Sequence, residues 1–231
     1  MNMQEFQMLC EAKNISISEH QFEQLSRYAQ LLQEWNEKIN LTTITGLEDI
    51  FIKHFYDSLL IAPYCYDAKT LCDVGSGAGF PGLVLKIALP DLNITLVEPT
   101  LKRVNFMNLV ISELKLENIT VFNRRMEDCV ELKESFDIVT ARAVAALPVL
   151  SELCLPFVNI GGYFIAMKGS SGEEELEVSK NALKILGGKV SLINKETLRD
   201  GSARINMLIQ KVSVSPSKYP RAYAQIKKKA L

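Results

Sequence analysis

The residues best suited to bind a ligand form a glycine-rich segment at positions 73–82, Asp-Val-Gly-Ser-Gly-Ala-Gly-Phe-Pro-Gly. Glycine allows positive φ angles and lets a ligand approach the backbone closely. Residues 70–74 are predicted to form a strand before this segment, and Pro81 suits the first turn of a helix after it. The segment therefore predicts a tight turn with backbone N–H groups at the carboxyl end of a strand, where open α/β sheets bind ligands.

Two classes of ligand fit this turn. Residues 77–82 match the G-x-G-x-x-G pattern of dinucleotide-binding proteins. Starting at Asp73, the same stretch matches D-x-G-x-G, the form associated with S-adenosylmethionine (SAM). A carboxylate beside the turn repels a pyrophosphate, whereas SAM carries a sulfonium and an ammonium group and no phosphate. The sequence favours SAM and keeps the dinucleotide as the alternative.

Acidic residues follow two further predicted strands. Glu98 ends the second strand, and a carboxylate there can accept both ribose hydroxyls of SAM or of NAD. Glu127 follows the third strand, next to Met126. There the apolar side chain can cover one face of an adenine while the acidic neighbourhood meets its exocyclic amine. Glu98 supports a nucleoside ligand without identifying it, whereas Glu127 taken alone fits a helix-capping role equally well.

Histidine placement bears on the dinucleotide alternative. A dehydrogenase needs a proton donor near the hydride acceptor. The two histidines, His20 and His54, fall in a predicted helical region outside the strands. We therefore expect no histidine at the ligand-binding edge of the sheet, which disfavours an NAD(P)-binding oxidoreductase.

The glycine segment lies within an alternation of strands and helices. This alternation predicts a mostly parallel seven-stranded sheet with helices on both faces, the Rossmann-like α/β class of class I SAM-dependent methyltransferases. No helix separates the last two strands, which predicts a hairpin and one antiparallel strand in the sheet. The predicted strands are 70–74, 93–97, 119–122, 136–140, 162–167, 189–195 and 205–212, and the predicted helices are 80–89, 101–114, 147–157 and 173–186.

The first part of the chain carries a different pattern. Apolar residues recur every three or four positions in residues 19–40, which predicts a helix that Ser18 can cap. Shorter helices are predicted at 3–13 and at 48–63, the latter ending before Pro63. We expect three regions: a helical extension over 1–66, a Rossmann-like domain over 67–212 and a C-terminal tail over 213–231.

Composition places the chain among folded intracellular proteins. Hydrophobic residues make up 48% and charged residues 23%, a balance typical of a globular domain and not of a disordered chain. No apolar run approaches the ~20 residues that span a bilayer, and the first residues lack the pattern of a secretory signal. The five cysteines form no CxxC pair, which predicts reduced, buried thiols and no metal site. These features predict a cytoplasmic location.

Charge is distributed unevenly along the chain. Residues 1–68 hold 4 basic and 10 acidic side chains, whereas residues 211–231 hold 6 basic and no acidic ones. A basic terminus fits either a polyanionic partner or a frayed, solvated chain end. Tyr219 and Tyr223 are interleaved with these basic residues and could stack on unpaired bases.

Several stretches outside the glycine segment resemble the RsmG (GidB) family of bacterial 16S ribosomal RNA methyltransferases. The family's Trp-Asn and Asn-Leu-Thr signature matches residues 32–42, and its His-x-x-Asp-Ser segment matches residues 53–58. The resemblance extends from about residue 30 to about residue 170. The other matching segments are Lys102–Phe106, Arg125–Glu127, Thr140–Ala143 and Ala166–Gly169.

This resemblance implies methyl transfer from SAM to N7 of a guanine in 16S rRNA, guanine 527 of the 530 loop. It implies cofactor contacts in the glycine turn, after the third strand and after the fourth. The predicted cofactor-binding residues are Gly75, Gly77, Phe80, Glu98, Met126, Glu127 and Arg142. Basic residues at strand and helix ends are predicted to follow RNA phosphates, namely Lys102, Arg103, Arg125, Lys168 and Arg204.

Arg142 admits a structural interpretation as well. It follows the fourth predicted strand, where it could bind a cofactor or substrate group or lie on an RNA phosphate. An ion pair with an acid such as Asp137 would instead give it a structural role. The sequence leaves both interpretations open.

The residue types present suit a ring nitrogen as the methyl acceptor. Guanine N7 has a lone pair and no proton, so its methylation needs in-line placement and no general base, and we expect no catalytic residue. Methylation of cytosine C5 needs a cysteine nucleophile, and no cysteine falls at the relevant strand ends. Methylation of exocyclic amines typically uses Asp/Asn-Pro-Pro-Tyr/Phe, where this chain has Thr140–Ala143.

We therefore expect a monomer that uses SAM, holds no metal, does not enter a membrane and acts on 16S rRNA or a small-subunit precursor. One alternative is a SAM-dependent methyltransferase of a small molecule or a protein. The others are an NAD(P)-binding oxidoreductase and a non-catalytic RNA-binding module.

Overall fold

The central feature of the protein is one seven-stranded sheet, seen in a computed structural model that describes all 231 residues. The strands are β1 (Thr70–Val74), β2 (Asn93–Val97), β3 (Ile119–Phe122), β4 (Phe136–Arg142), β5 (Val158–Lys168), β6 (Gly188–Thr197) and β7 (Ala203–Lys211). Their order is β3-β2-β1-β4-β5-β7-β6. Strand β7 runs antiparallel to both of its neighbours, β5 and β6, and all other pairings are parallel. This confirms the mostly parallel sheet and the terminal hairpin that the sequence predicted.

Helices cover both faces of this sheet. The N-terminal helices and the helices at Gly82–Ala88 and Leu101–Glu113 pack on one face. The helices at Leu147–Cys154 and Gly172–Leu186 and the C-terminal residues pack on the other. Successive side chains of β1, such as Leu71 and Cys72, enter opposite cores because strand residues alternate between faces. The helices are α1 (Met3–Glu11), α2 (Glu19–Ile39), α3 (Leu47–Asp49), α4 (Asp57–Leu59), α5 (Gly82–Ala88), α6 (Leu101–Glu113), α7 (Leu147–Cys154), α8 (Gly172–Leu186) and α9 (Tyr223–Lys228).

Helix α2 connects the N-terminal extension to the glycine turn. A capping box between Ser18 and Gln21 begins the helix, as the serine predicted. The buried stripe includes Tyr28, whose hydroxyl donates a hydrogen bond to the carbonyl oxygen of Ala78 in the glycine turn. Trp35 is partly buried and packs against the same core. The extension therefore helps to fix the turn in place.

The predicted helix at 48–63 has a different form. Residues 47–59 are helical throughout, but the middle segment, Ile50–Tyr56, is π-helical. The run ends at Leu59, and Pro63 lies in a separate 3-10 turn, Ala62–Tyr64. Single π-helical turns are frequent at functional sites, and this one carries His54 toward the edge of the sheet.

The strand order reverses between β1 and β4. In open α/β sheets such a reversal opens a crevice at the carboxyl ends of the two strands. The glycine turn follows β1, and Ala143 and Val144 follow β4, so these two connections form the walls of that crevice. Short 3-10 turns, Met126–Asp128 and Val130–Leu132, replace a helix between β3 and β4.

Three further findings bear on function. No helix combines the length and the apolar character needed to cross a membrane. No three side chains among His, Cys, Asp and Glu are grouped so that they could hold a metal ion. All five cysteines are buried and unpaired.

Candidate active site at the carboxyl edge of the sheet

The glycine turn is held tightly against the end of β4. Gly75 has a φ of +69° and Gly77 a φ of +61°, a region that favours glycine. A Cβ atom on Gly75 would lie 2.6 Å from Cγ2 of Val144, so a side chain there would push the two connections apart. A Cβ atom on Gly77 would meet only the Gly75 carbonyl oxygen, at 3.9 Å. The turn is closed toward β4 and open on its outer side.

The carboxylate of Asp73 occupies the N-terminus of α5. Asp73 is fully buried, and its Oδ2 accepts a hydrogen bond of 2.9 Å from the N–H of Gly82, the first residue of α5. In dinucleotide-binding folds this helix end receives the pyrophosphate. Here an acidic side chain already fills it, which disfavours the dinucleotide alternative. Burial raises the pKa of Asp73 to about 7, because a desolvated carboxyl group resists ionisation.

Glu98 ties the glycine turn to the end of β2. It is only 2% exposed. Its Oε2 accepts a 3.0 Å hydrogen bond from the N–H of Gly77, and its Oε1 accepts a 2.9 Å bond from the N–H of Thr100. The guanidinium of Arg103 lies 3.7 Å from Oε2. Each carboxylate oxygen has two lone pairs, so Glu98 can still accept hydrogen bonds from a ligand.

A cleft of about 390 Å³ opens beside the turn, over the ends of β2 and β3, and is named here the glycine-loop cleft. Its volume falls in the range of about 300–1,000 Å³ typical of ligand pockets. It brings together Gly75, Glu98, Met126 and Glu127 from the predicted cofactor set. Arg103 and Arg125, predicted to follow RNA, also line it. The other lining residues are Val74, Val97, Pro99, Thr100, Arg124, Ala143, Val144, Leu153 and Tyr223.

A second cavity, of about 320 Å³, lies over the ends of β4 and β5 and is named here the arginine cavity. Ala143 lines both spaces, so they adjoin at the reversal of strand order. The cavity is basic, because four cationic side chains face two acidic ones. Its lining residues are Lys53, His54, Asp57, Arg142, Ala143, Met167, Lys168, Gly169, Glu175 and Arg204.

Arg142 belongs to the arginine cavity and not to the glycine-loop cleft. β4 extends to this residue, beyond its predicted end, because Arg142 pairs with Met167 of β5. Its Nη1 lies 3.0 Å from Oδ2 of Asp57, and Oδ1 of the same acid accepts a 2.9 Å bond from Arg204. The ion pair with an acid is thus present, but the acid is Asp57 and not the suggested Asp137, which accepts bonds from backbone N–H groups at the opposite end of the sheet.

The π-helical segment supplies further acceptors for Arg142. Its Nη1 donates to the carbonyl oxygens of Lys53, at 3.2 Å, and of His54, at 3.5 Å. Side chains that insert into a helical hydrogen-bond ladder are a known cause of local helix distortion. The guanidinium therefore couples the N-terminal extension to the end of β4.

His54 corrects the expectation that no histidine reaches the ligand-binding edge. The imidazole lines the arginine cavity and stacks on the Phe80 ring, with centroids 4.4 Å apart and an interplanar angle of 15°. Its Nε2 lies 2.8 Å from Oγ1 of Thr42, and its Nδ1 lies 3.4 Å from Nη2 of Arg142. Burial and the Arg142 charge lower the pKa of His54 to about 3. The ring is therefore neutral near pH 7 and suited to an orienting role.

The remaining predicted residues lie outside both spaces. Phe80 is 6% exposed and is covered by His54. Gly77 does not line the glycine-loop cleft, but its N–H donates a hydrogen bond to Glu98, which does. Lys102 is exposed on α6 and lines neither space. Sequence reasoning assigned no role to His54 or Asp57, and it predicted for Tyr223 a contact with RNA bases and not a place in the glycine-loop cleft. The His-x-x-Asp spacing of residues 53–58 was the available signal for the first two.

Several solved structures that share this fold are methyltransferases. TYW2 from P. horikoshii in complex with MeSAdo matches with a TM-score of 0.58 at 14% sequence identity, over 69% of this chain and 63% of that one. At this level of identity the likeness shows the fold alone. The Rossmann-like fold predicted from the sequence is thus confirmed.

Sequence comparisons identify the family within this class. The family model described as rRNA small subunit methyltransferase G (GidB) matches residues 21–202. The protein called ribosomal RNA small subunit methyltransferase G from Bacillus cereus (strain B4264) is 46% identical over 227 residues, or 96% of this chain and 95% of that protein. The one from Geobacillus sp. (strain WCH70) is 47% identical over 228 residues, with the same coverage. The chain belongs to the rRNA small subunit methyltransferase G family.

Proposed function

We propose that this protein transfers the methyl group of SAM to N7 of a guanine in 16S rRNA, guanine 527 of the 530 loop. The observation that carries the proposal is the pair of adjoining spaces at the reversal of strand order, which share Ala143. One space has the turn and the acids that suit a nucleoside with a cationic sulfonium. The other has the basic side chains that suit RNA. A methyl donor and its acceptor must meet at such a junction.

The residues of the glycine-loop cleft fit SAM as cofactor. Gly75 of the turn lines the cleft, and the remaining lone pairs of Glu98 suit the two ribose hydroxyls. Met126 and Glu127 lie beyond Glu98 along the sheet edge, since β3 follows β2 in the strand order. They suit the purine. Because Asp73 caps α5, the helix terminus that receives the pyrophosphate in dinucleotide-binding folds is already occupied.

The arginine cavity fits the acceptor nucleotide. The cationic groups of Lys168 and Arg204 suit a phosphate or the guanine O6. Asp57 neutralises part of this charge by binding Arg142 and Arg204 together. This balance is useful because methylation of N7 leaves a positive charge on the base.

The chemical step needs placement and no proton transfer. When bound, SAM supplies a methyl group carried on a positively charged sulfur. The guanine N7 lone pair forms the new carbon–nitrogen bond as the carbon–sulfur bond breaks, so no base removes a proton. Arg142, held by Asp57 and by the π-helical carbonyl groups, fixes one wall of the acceptor space. His54 is neutral and keeps the Phe80 and Arg142 side chains in place.

Basic residues at the mouth of the glycine-loop cleft support an extended contact with RNA. Lys102 and Arg103 are exposed at the start of α6, close to the mouth of the glycine-loop cleft. Such groups neutralise phosphates and make binding depend on salt. We propose that the protein acts as a monomer on 16S rRNA or on a small-subunit precursor, in the bacterial cytoplasm where that RNA is assembled.

Methyl transfer in vitro tests the proposal. Purified protein and labelled SAM are incubated with 16S rRNA, with 30S subunits and with total cell protein, and the modified nucleosides are identified by mass spectrometry. We expect label in 7-methylguanosine of the RNA samples. Label confined to protein would favour the alternative methyltransferase. Tight binding of NADH together with no binding of SAM would favour the oxidoreductase.

A further inference from the structure

The C-terminal residues are docked on the body of the protein. The sequence suggested a basic tail that either frays or binds a polyanion, but Arg221 reaches into the protein and pairs with Glu152 of α7, which is fully buried. Oε1 of Glu152 accepts 2.8 Å hydrogen bonds from both the backbone N–H and Nε of Arg221. Its Oε2 accepts a 2.6 Å bond from Nη2. Removing one member of a buried pair leaves an uncompensated charge, so this contact fixes the segment firmly.

Apolar anchors hold the same segment on either side of Tyr223. Tyr219 is 5% exposed and Ile226 is fully buried, and both join the core that includes Leu153 of α7. Tyr219 is therefore unavailable to stack on an RNA base, contrary to the expectation from sequence. Tyr223 lies between these anchors and is only partly buried.

Docking of the C-terminal segment places Tyr223 at the glycine-loop cleft. Its side chain lines the glycine-loop cleft together with Leu153 and Arg125. The Arg125 guanidinium lies 5.3 Å from the centroid of the Tyr223 ring. Arg125 directly precedes Met126, so the tyrosine stands at the β3 end of the cleft, beyond Glu98.

We propose that the docked C-terminal segment forms the outer wall of the cofactor site, with Tyr223 as the aromatic surface beside the adenine of SAM. This inference rests on the proposed function, since it concerns the same cleft. A nucleobase presents a π-face to any aromatic side chain placed along it, and such stacking contributes substantially to binding. Glu152 and Arg221 act as positioning residues, because they hold Tyr223 without lining the cleft themselves.

Calorimetry on the full-length protein tests the aromatic wall. Two ligands are titrated: SAM, and 5′-methylthioadenosine, which keeps the purine and lacks the amino-acid portion. We expect Tyr223→Ala to weaken both by about tenfold. Tyr223→Phe keeps the ring, and Gln225→Ala changes an exposed neighbour on α9, so both should bind within about twofold of wild type.

The anchor is tested with the paired variant Glu152→Gln, Arg221→Gln, which removes both charges and leaves neither unpaired. We expect faster trypsin cleavage after Lys218 and, in parallel, weaker binding of both ligands. A released segment with unchanged SAM affinity would overturn the inference. So would a Tyr223→Ala variant that binds both ligands like wild type, or that loses affinity only for RNA. A wild-type protein that binds no SAM would contradict the proposed function itself.

Discussion

At the scale of single residues, two buried titratable groups beside the site have displaced pKa values. Burial raises that of Asp73 to about 7, and burial together with Arg142 lowers that of His54 to about 3. The two displaced pKa values make stability depend on pH in opposite ways: that of Asp73 lowers stability as the pH rises, and that of His54 lowers it as the pH falls. Asp73 favours the folded state when protonated, whereas His54 favours it when neutral. Neither group supplies a proton in the proposed reaction.

Replacing Asp73 by Asn should change how stability depends on pH. The folded-state pKa of about 7 exceeds the ordinary value of 3.8, so ionisation costs more in the folded protein. Wild type therefore loses this contribution as the pH rises from 3.8 to about 7. Asn still offers an acceptor to Gly82 and carries no charge. Urea unfolding at several pH values should show a flatter dependence for the variant, and an identical dependence would contradict the displaced pKa.

The variant His54→Asn tests the absence of a general base. Loss of a true general base costs roughly 100- to 10,000-fold in rate. Because the imidazole only orients its neighbours, we expect kcat to fall by less than about tenfold, with a larger effect on the KM for RNA. Steady-state kinetics with 16S rRNA separates the two quantities. A thousandfold fall in kcat with unchanged KM would assign a proton transfer to His54.

At the scale of elements, the site depends on the close contact between the turn after β1 and the connection after β4. Gly75 touches Val144 across the crevice, and Ala143 next to it has a positive φ of 57°. These two short connections separate the glycine-loop cleft from the arginine cavity. Any side chain added between them should alter both spaces.

We expect Gly75→Ala to weaken SAM binding by at least about tenfold. The added Cβ would lie 2.6 Å from Cγ2 of Val144, and alanine is strained at a φ of +69°. The double variant Gly75→Ala, Val144→Ala removes the contact and keeps the backbone strain, so it should regain part of the affinity. Calorimetry with SAM distinguishes the cases. Wild-type SAM affinity in Gly75→Ala would show that SAM binding does not depend on the close approach of Gly75 to Val144.

The strands, most helices and most residues of the glycine-loop cleft could be predicted from the sequence, because they depend on local patterns. Strand and glycine signals placed Gly75, Glu98 and Met126 at one sheet edge. The π-helical segment was not predictable, since Ile50–Tyr56 has an ordinary apolar pattern and the guanidinium bonded to it lies 88 residues away from His54. The docking of Arg221 on Glu152 depends likewise on a contact between residues 69 positions apart.

At the scale of the whole molecule, three parts of the chain converge on one edge of the sheet. The N-terminal extension contributes Asp57 to the arginine cavity, the sheet contributes both connections, and the C-terminal segment contributes Tyr223 to the glycine-loop cleft. In the proposed reaction, separate sets of residues bind the methyl donor SAM and the acceptor RNA. Changes in one set should leave the other function largely intact.

Matched variants of the two spaces test this division. Glu98→Gln weakens a charged acceptor of the ribose hydroxyls, so we expect SAM affinity to fall by about tenfold with little change in RNA affinity. Arg204→Gln lies in the arginine cavity, so it should weaken RNA binding and leave SAM affinity unchanged. Calorimetry and filter binding measure the two affinities. Equal losses of both ligands in either variant would contradict separate sites.

The most direct test of the central claim is mass mapping of methylated nucleosides in 16S rRNA from bacterial cells that lack this protein. The account predicts the loss of one 7-methylguanosine, at guanine 527, and its return when the wild-type chain is supplied but not when Gly75→Ala is supplied. An unchanged set of methylated guanines in those cells would contradict the claim that this edge of the sheet methylates 16S rRNA.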